Sequence, residues 1–157
     1  MSDERWIEVD RDMEAAVRHF AGAVRLFADP DLRGEDWEGY KTRMGLMHAM
    51  QAGHTSLETA LLRILDMLGE ERPTGEYWHL DRIRRAATAT GHRPAILPAD
   101  VARYADRTRR FRHVAVRTYD QFEPDEADGA IKAAAQLVVT LVPAISQFKA
   151  QVDRSDD

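Results

Sequence analysis

The most constraining feature of the sequence is a long apolar stripe between positions 35 and 68. Its members recur mostly at steps of three and four: Trp37, Tyr40, Met44, Met47, His54, Leu57, Leu61, Ile64 and Leu68. That spacing puts side chains on one face of an α-helix, whereas a half-buried strand needs strict alternation. Since no segment shows a convincing strand pattern, the sequence predicts an all-α fold that includes one long helix.

Four further helices are predicted from the same periodicity and from the turn-rich segments that interrupt it. Gly69 is the expected C-cap of the long helix, with Pro73 just beyond it. The predicted helices cover about 3–28, 35–68, 76–88, a segment opened by Asp100, and 125–153. We therefore expect an antiparallel bundle of about five helices in one domain over residues 1–157, with an acidic tail from about residue 153.

Two helices carry residues that suggest close packing. Gly45 and Gly53 each weaken the long helix by about 1 kcal/mol relative to alanine, so we expect them to mark a close helix approach or a bend. The last helix is apolar beyond one stripe, because Leu137, Val139 and Val142 widen its apolar face. Its second face is expected to meet another subunit.

Composition excludes several classes of protein and site. Of the 157 residues, 44% are hydrophobic and 31% are charged, which is typical of a soluble globular protein. There is no cysteine, so disulfides and thiolate metal sites are excluded, and no metal or cofactor is expected. The stretch "MSDERWIEVD" lacks a secretory-signal layout, and no run approaches the length of a membrane span. A cytoplasmic protein with no membrane contact is expected.

The net charge of −5 gives the whole molecule no bias toward nucleic acid, but the charge is uneven. The stretch "RYADRTRRFRHVAVR" carries six arginines, whereas "EPDEADGA" is acidic. A local basic stripe attracts phosphates within a Debye length of about 8 Å at physiological salt. The same stripe suits an acidic protein partner equally well.

The predicted fourth helix combines a core face with ionisable residues. Its core face comprises Tyr104, Thr108, Phe111, Ala115, Thr118 and Phe122. Arg112 and Tyr119, seven residues apart, lie at the edge of that face, and His113 and Arg117 lie nearer solvent. Arg112 and Arg117 diverge by about 140° on a regular helix. An arginine-rich helix face is most often solvated or paired with carboxylates.

Four segments, in this order and spacing, change that interpretation: "GHTSLETALLRIL", "ERPTGEYWHL", "HRPAILP" and "FRHVAVRTYD". Together, over about residues 53–122, they resemble the HepT-like branch of the HEPN superfamily. The resemblance implies a helical-bundle toxin that acts as a metal-independent endoribonuclease on RNA. It also implies a homodimer that brings two copies of the motif helix together, and a minimal nucleotidyltransferase as the cognate antitoxin partner.

The family motif is arginine, four residues, histidine, any residue, tyrosine. Arg112 and Tyr119 match its arginine and tyrosine, and His113 occupies the polar position after the arginine. The histidine position is Arg117. By this resemblance Arg112, Arg117, His113 and Tyr119 are the candidate catalytic residues, and Arg109, Arg112 and Arg117 the candidate RNA-phosphate ligands. Tyr119 is also the candidate for modification by AMP from the partner.

The arginine at position 117 changes the expected chemistry. Metal-independent RNA cleavage needs a group that takes a proton near the working pH, and histidine suits this role. Arginine binds phosphate bidentately but does not act as a base. Three accounts stay open: a site that has lost catalysis, a shift of the role to His113 with Arg107 as its arginine, or a detoxified variant. A non-catalytic binding module and a purely structural adaptor are the alternative functions.

Other candidate residues are weaker. His48 and His54 lie on the long helix, and His54 has Glu58 four residues on. A metal pair would need more ligands, so a structural histidine is the favoured interpretation of His54. The pair Trp78-His79 is interpreted as a packing anchor where the chain enters the third helix.

Overall fold

The computed structural model describes residues 4–117 and 123–155, without the side chains at 114–117 and 155. It contains five α-helices: α1 Glu4–Phe27, α2 Trp37–Met67, α3 Trp78–Ala87, α4 Ala99–Arg117 and α5 Asp128–Ser155. Short 3-10 helices at Pro30–Arg33 and Pro124–Ala127 precede α2 and α5. Apart from one isolated bridge between Thr90 and Arg93, these residues form no β-structure. The prediction of an all-α fold with about five helices is confirmed.

Helices α1 and α2 pack against each other and run antiparallel. Gly53 lies against the ring of Phe20, and Gly45 lies against Leu26. Residues later in α1 therefore contact residues earlier in α2. A Cβ at position 53 would stand 2.8 Å from two carbons of the Phe20 ring. The absence of a side chain at Gly53 therefore lets the two helices approach, as predicted.

The ends of α2 follow local sequence chemistry. The Asp36 carboxylate accepts a hydrogen bond of 3.0 Å from the Gly39 amide and caps the N-terminus. Gly69, just past the C-terminus, has φ of 72°, in the left-handed region that glycine enters without a Cβ penalty. Its predicted role in ending the long helix is confirmed.

The first turn of α2 differs from the predicted apolar stripe. Trp37 and Tyr40 are exposed, and their rings stack with centroids 5.3 Å apart. Met44 is half-buried, and the stripe reaches the core from Met47 onward. The periodicity identified the helix correctly and its buried face only in part.

Helix α5 closes the core by packing on α1 and α4. The Trp6 and Phe148 rings lie 6.5 Å apart at the α1–α5 contact. Of the residues that widen the apolar face of α5, Leu137 is buried, whereas Val139 and Val142 are exposed. The second face of α5 is thus uncovered within the described chain.

The segment Pro124–Arg154, which is essentially α5, is long and apolar enough to cross a membrane by length and composition. This differs from the expectation that no run approaches that length. The helix nevertheless packs on α1 and α4 as a core helix of the bundle, with 44% of its most apolar window buried. Its length and composition are weak evidence for a membrane span.

A buried arginine fixes the connector between α3 and α4. Arg93 donates hydrogen bonds to both carboxylate oxygens of Glu70, just beyond α2, at 2.5 and 3.0 Å. The amides of Ile96 and Leu97 both donate to the carbonyl of Ala86 at the end of α3. These bonds hold α3 and the start of α4 against the end of α2, and so place the three helices that build the candidate site.

Candidate functional site

The described part of α4 presents one predicted motif residue to the protein interior. Thr108 and Phe111 are buried on its core face, as predicted. Arg112, at the edge of that face, places Nη1 3.7 Å from Oε2 of Glu58 on α2, and its side chain is 32% exposed. The motif arginine thus lies between the core and solvent, beside a buried carboxylate.

Glu58 is the centre of this site, with only 4% of its side chain exposed. Its Oε1 lies 2.8 Å from His54 Nε2 and 2.8 Å from His79 Nδ1. Its Oε2 accepts from Arg82 Nη1 at 3.1 Å and lies 2.9 Å from His79 Nδ1. We call His54, Glu58, His79, Arg82 and Arg112 the Glu58 cluster. Its members come from α2, α3 and α4.

Glu58 is ionised despite its burial. Burial by itself raises the pKa of a carboxyl group, but the hydrogen bonds that Glu58 accepts from His54 and His79 outweigh it here. They hold the pKa of Glu58 below its ordinary value. The cluster therefore contains a buried carboxylate that is ionised at neutral pH, with its cationic and imidazole groups arranged around it.

His54 links Glu58 to α4 as a neutral imidazole. Burial, and then the charges of Arg112 and His79, lower the pKa of His54 although Glu58 acts in the opposite direction. A carboxylate can only accept, so Nε2 carries the ring proton and Nδ1 accepts from the Thr108 hydroxyl at 2.8 Å. That hydroxyl also lies within hydrogen-bond distance of the Ala105 carbonyl, at 2.9 Å. His54 is the structural histidine that the sequence favoured.

His79 faces Glu58 through one ring nitrogen only. Nδ1 is within hydrogen-bond distance of both carboxylate oxygens, and a carboxylate can only accept, so Nδ1 carries a proton. In the neutral ring, Nε2 then has a free lone pair on the far side of the imidazole. The side chain is 35% exposed, so it is accessible from solvent. The packing-anchor interpretation of His79 overlooked this polar contact.

Arg82 completes the cluster on α3. Its guanidinium carbon lies 3.8 Å from the centroid of the Trp78 ring, a cation–π contact, while Nη1 donates to Glu58. Burial lowers the pKa of Arg82, and the charge of Glu58 partly offsets this effect. With Arg82 and Arg112 beside one carboxylate, the Glu58 cluster carries a surplus positive charge.

The other predicted site residues are placed differently. Arg109 donates to Asp106 on its own helix at 2.8 Å, so its charge is already paired. His113 is exposed on the solvent side, as expected. The backbone of α4 is helical through Arg117, whose side chain lies outside the described atoms, and Tyr119 lies outside the described residues. Their roles stay predictions.

A separate cleft of ≈ 820 Å³ lies between α3, α4 and α5. Apolar residues such as Leu80, Ile83 and Ala133 line it. Its basic residues are Arg84, Arg103, Arg107, Arg110 and Lys132. Asp106, bound to Arg110 at 2.9 Å, is the carboxylate among the described lining residues. The cleft is lined by Leu80, Ile83 and Arg84 of α3, whereas the Glu58 cluster uses His79 and Arg82 of the same helix.

No group of three or more possible metal ligands occurs within residues 4–117 and 123–155. His48, the other histidine considered from sequence, lies against the ring of His19 at 6.4 Å. Of the contacts in this cluster, residue spacing had suggested only the pairing of His54 with Glu58. It missed Arg82 altogether, and the sole signal for His79 was its position in "PTGEYWH".

Comparison with known families matches the part of the chain that contains this site. A family model described as HepT-like protein matches residues 45–152, which run from within α2 to near the end of α5. Searches of curated proteins and of solved structures returned no match to the chain.

Proposed function

The chain belongs to the HepT-like protein family, and from this premise we propose that it is a HEPN-type toxin subunit that acts on RNA. In this proposal Arg112 binds the scissile phosphate. The observation that carries it is the position of Arg112, partly exposed and beside a buried carboxylate that already has closer partners.

The geometry leaves Arg112 able to bind a phosphate. Its 3.7 Å separation from Glu58 is longer than a hydrogen bond, so this contact holds the guanidinium electrostatically. Arg82 and His79 supply the closer contacts to the same carboxylate oxygen. The planar fork of donors on Arg112 then suits two phosphate oxygens at once.

The basic cleft supports an extended nucleic-acid ligand. Arg103 and Arg107 line it from one face of α4, and no ion pair joins either to another described side chain. Phosphate binding by such arginines is independent of base sequence and depends strongly on salt. Arg103 lies nine residues before Arg112, about 180° around a regular helix, so the cleft is a second cationic surface and not a continuation of the Arg112 site.

The finer parts of the proposal follow the family resemblance. Arg117 is a second phosphate ligand, and Tyr119 orients substrate or accepts AMP from a nucleotidyltransferase antitoxin. His113 is a further acid–base candidate. The protein acts as a cytoplasmic homodimer, for which the exposed valines Val139 and Val142 on α5 offer an apolar surface.

Binding to RNA tests the proposal directly. We expect the full chain to bind a labelled 2′-O-methyl RNA oligonucleotide, and the affinity measured by fluorescence anisotropy to fall as salt rises. Arg112→Ala should weaken binding and reduce the slope of log affinity against log salt by about one. Arg25→Ala is the matched control, because Arg25 is an exposed arginine on α1.

Growth arrest on induction, lost in Arg112→Ala, would support the toxin function. The replaced motif histidine favours a second candidate, a non-catalytic module that binds RNA, nucleotide or the nucleotidyltransferase. Salt-dependent RNA binding without cleavage or growth arrest would favour that candidate. Partner binding without any RNA binding would instead identify a structural adaptor and reject the RNA proposal.

A further inference from the structure

We propose that His79 is the general base for RNA cleavage at the phosphate bound by Arg112, with Glu58 as its positioning residue. This inference rests on the proposed function. It concerns the proton transfer in RNA cleavage, for which Arg117 does not act as a base. It assigns that step to α3, outside the motif helix.

The hydrogen bonds of His79 fit a base. Glu58 binds Nδ1 through both oxygens, at 2.8 and 2.9 Å, which fixes both the ring orientation and the tautomer. The free lone pair is then on Nε2, directed away from the carboxylate. A buried carboxylate behind one imidazole nitrogen and an open second nitrogen is the arrangement used to activate a hydroxyl nucleophile.

His79 and Arg112 meet at one atom, Oε2 of Glu58. Both side chains therefore approach the same carboxylate oxygen, and in this proposal a phosphate bound by Arg112 lies within reach of Nε2. The described charged and titratable groups around His79 are Glu58 and His54 on α2, Arg82 on α3 and Arg112 on α4. The guanidiniums of Arg82 and Arg112 also provide positive charge that stabilises the negative charge building up on the phosphorane.

The proposed step conserves atoms and protons. His79 Nε2 takes the proton of the 2′-hydroxyl, the 2′-oxygen forms a bond to phosphorus, and the bond from phosphorus to the 5′-oxygen breaks. Water gives a proton to the departing 5′-oxygen, and the resulting hydroxide takes the proton back from the imidazolium. The products are a 2′,3′-cyclic phosphate and a 5′-hydroxyl, with His79 restored.

His113 is the rival acid–base residue, since it belongs to the motif helix. It is exposed, and it has no hydrogen bond to any side chain in the described part of the chain. An exposed imidazole with no orienting partner among the described side chains is a weaker general base than one held in a single orientation, because ordering it costs entropy in the transition state. The structure therefore favours His79.

The test uses a substitution that keeps the contact with Glu58. In His79→Asn the side-chain amide nitrogen takes the place of Nδ1 and can still donate to Glu58, while Nε2 is removed. We would measure cleavage of a dual-labelled single-stranded RNA from pH 5 to pH 8 by the full chain, His79→Asn, His113→Asn and the exposed control His92→Asn. Binding of 2′-O-methyl RNA and thermal unfolding would be measured on each protein.

We expect His79→Asn to lose about 100-fold or more in cleavage rate while binding RNA within about twofold of the parent. The parent rate should rise between pH 5 and pH 8, as expected for cleavage that needs an unprotonated base, and this rise should be missing from the variant. Cleavage by His79→Asn with the parental pH profile, or a larger loss in His113→Asn, would overturn the inference. A parent that binds RNA without cleaving it also rejects the inference and leaves RNA binding standing, whereas a parent that binds no RNA rejects the proposed function itself.

Discussion

Arg112 Nη1 lies 3.7 Å from Glu58 Oε2, which joins the motif helix α4 to the long helix α2 through a buried charge. Glu58 also contacts His54, His79 and Arg82, so one carboxylate fixes the relative placement of three helices. Stability and the candidate chemistry of this protein therefore depend on the same residue.

Removing the charge of Glu58 should destabilise the fold. Glu58→Gln leaves Arg82 partly buried without its counter-ion, and breaking a buried ion pair from one side costs about 3 kcal/mol. Urea unfolding followed by circular dichroism measures the change. Glu38→Gln, which removes an exposed ion pair with Lys41, should change the free energy of unfolding by less than about 0.5 kcal/mol. Equal effects of the two substitutions would contradict the central role of Glu58.

Stability should fall on mild acidification. The pKa of His54 is lowered in the fold, so below its ordinary value of 6.5 the unfolded chain binds more protons than the native one. The pKa of Glu58 is also lowered, and its contribution is lost as pH falls from 4.5 through its native pKa. Each group adds a slope of at most about 1.4 kcal/mol per pH unit. Urea unfolding between pH 7.5 and 4 measures this slope.

The matched variants for the acid response are His54→Gln and His92→Gln. His54→Gln is expected to be less stable at pH 7.5. Its free energy of unfolding should no longer fall just below pH 6.5, because the buried imidazole is gone. His92 is exposed, so His92→Gln should keep the parental slope. A parental slope in His54→Gln would show that another group senses the acid.

A methyl group at position 53 should force α1 and α2 apart. The Cβ of Gly53→Ala would meet the Phe20 ring at 2.8 Å, and overpacking of this kind costs about 1–3 kcal/mol. Gly22→Ala on α1 has no atom within 4 Å of its new Cβ and should stabilise by about 0.5–1 kcal/mol through helix propensity. The two melting temperatures should shift in opposite directions. A stabilised Gly53→Ala would show that the helix contact is not tight.

Restoring the motif histidine should increase activity. Arg117→His supplies a group that titrates near neutral pH, which we expect to assist proton transfer during RNA cleavage. The measurements are RNA cleavage in vitro and growth after induction, each compared with Arg117→Lys, which keeps the charge and adds no base. Equal activity of the histidine and lysine variants would show that position 117 contributes charge alone.

The basic cleft should contribute to RNA affinity. Arg103→Ala/Arg107→Ala removes two guanidiniums from the cleft lining and should reduce the salt slope of RNA binding by about two. Arg18→Ala/Arg25→Ala on the exposed face of α1 is the matched control of equal charge change. The same slope for both double variants would mean that only the net charge matters and that RNA does not follow the cleft.

Local periodicity determined most of the architecture. Steps of three and four located all five helices, and glycine and proline placed their ends, since helix geometry and chain breaks depend on near neighbours in sequence. The quoted segments identified the HepT-like family, which the family match over residues 45–152 confirms. Even the His54–Glu58 pair could be anticipated, because four residues make one helical turn.

The tertiary structure decided which side chains contact the buried carboxylate of Glu58 and which apolar faces are covered. His79, Arg82 and Arg112 reach Glu58 from two other helices, and no spacing rule relates residues so far apart in sequence. Likewise, Trp37 and Val139 carry the periodic pattern of a core and are exposed, because burial depends on which helix packs alongside. Sequence fixes the local geometry of each helix, but packing in three dimensions brings the buried carboxylate and its partners together.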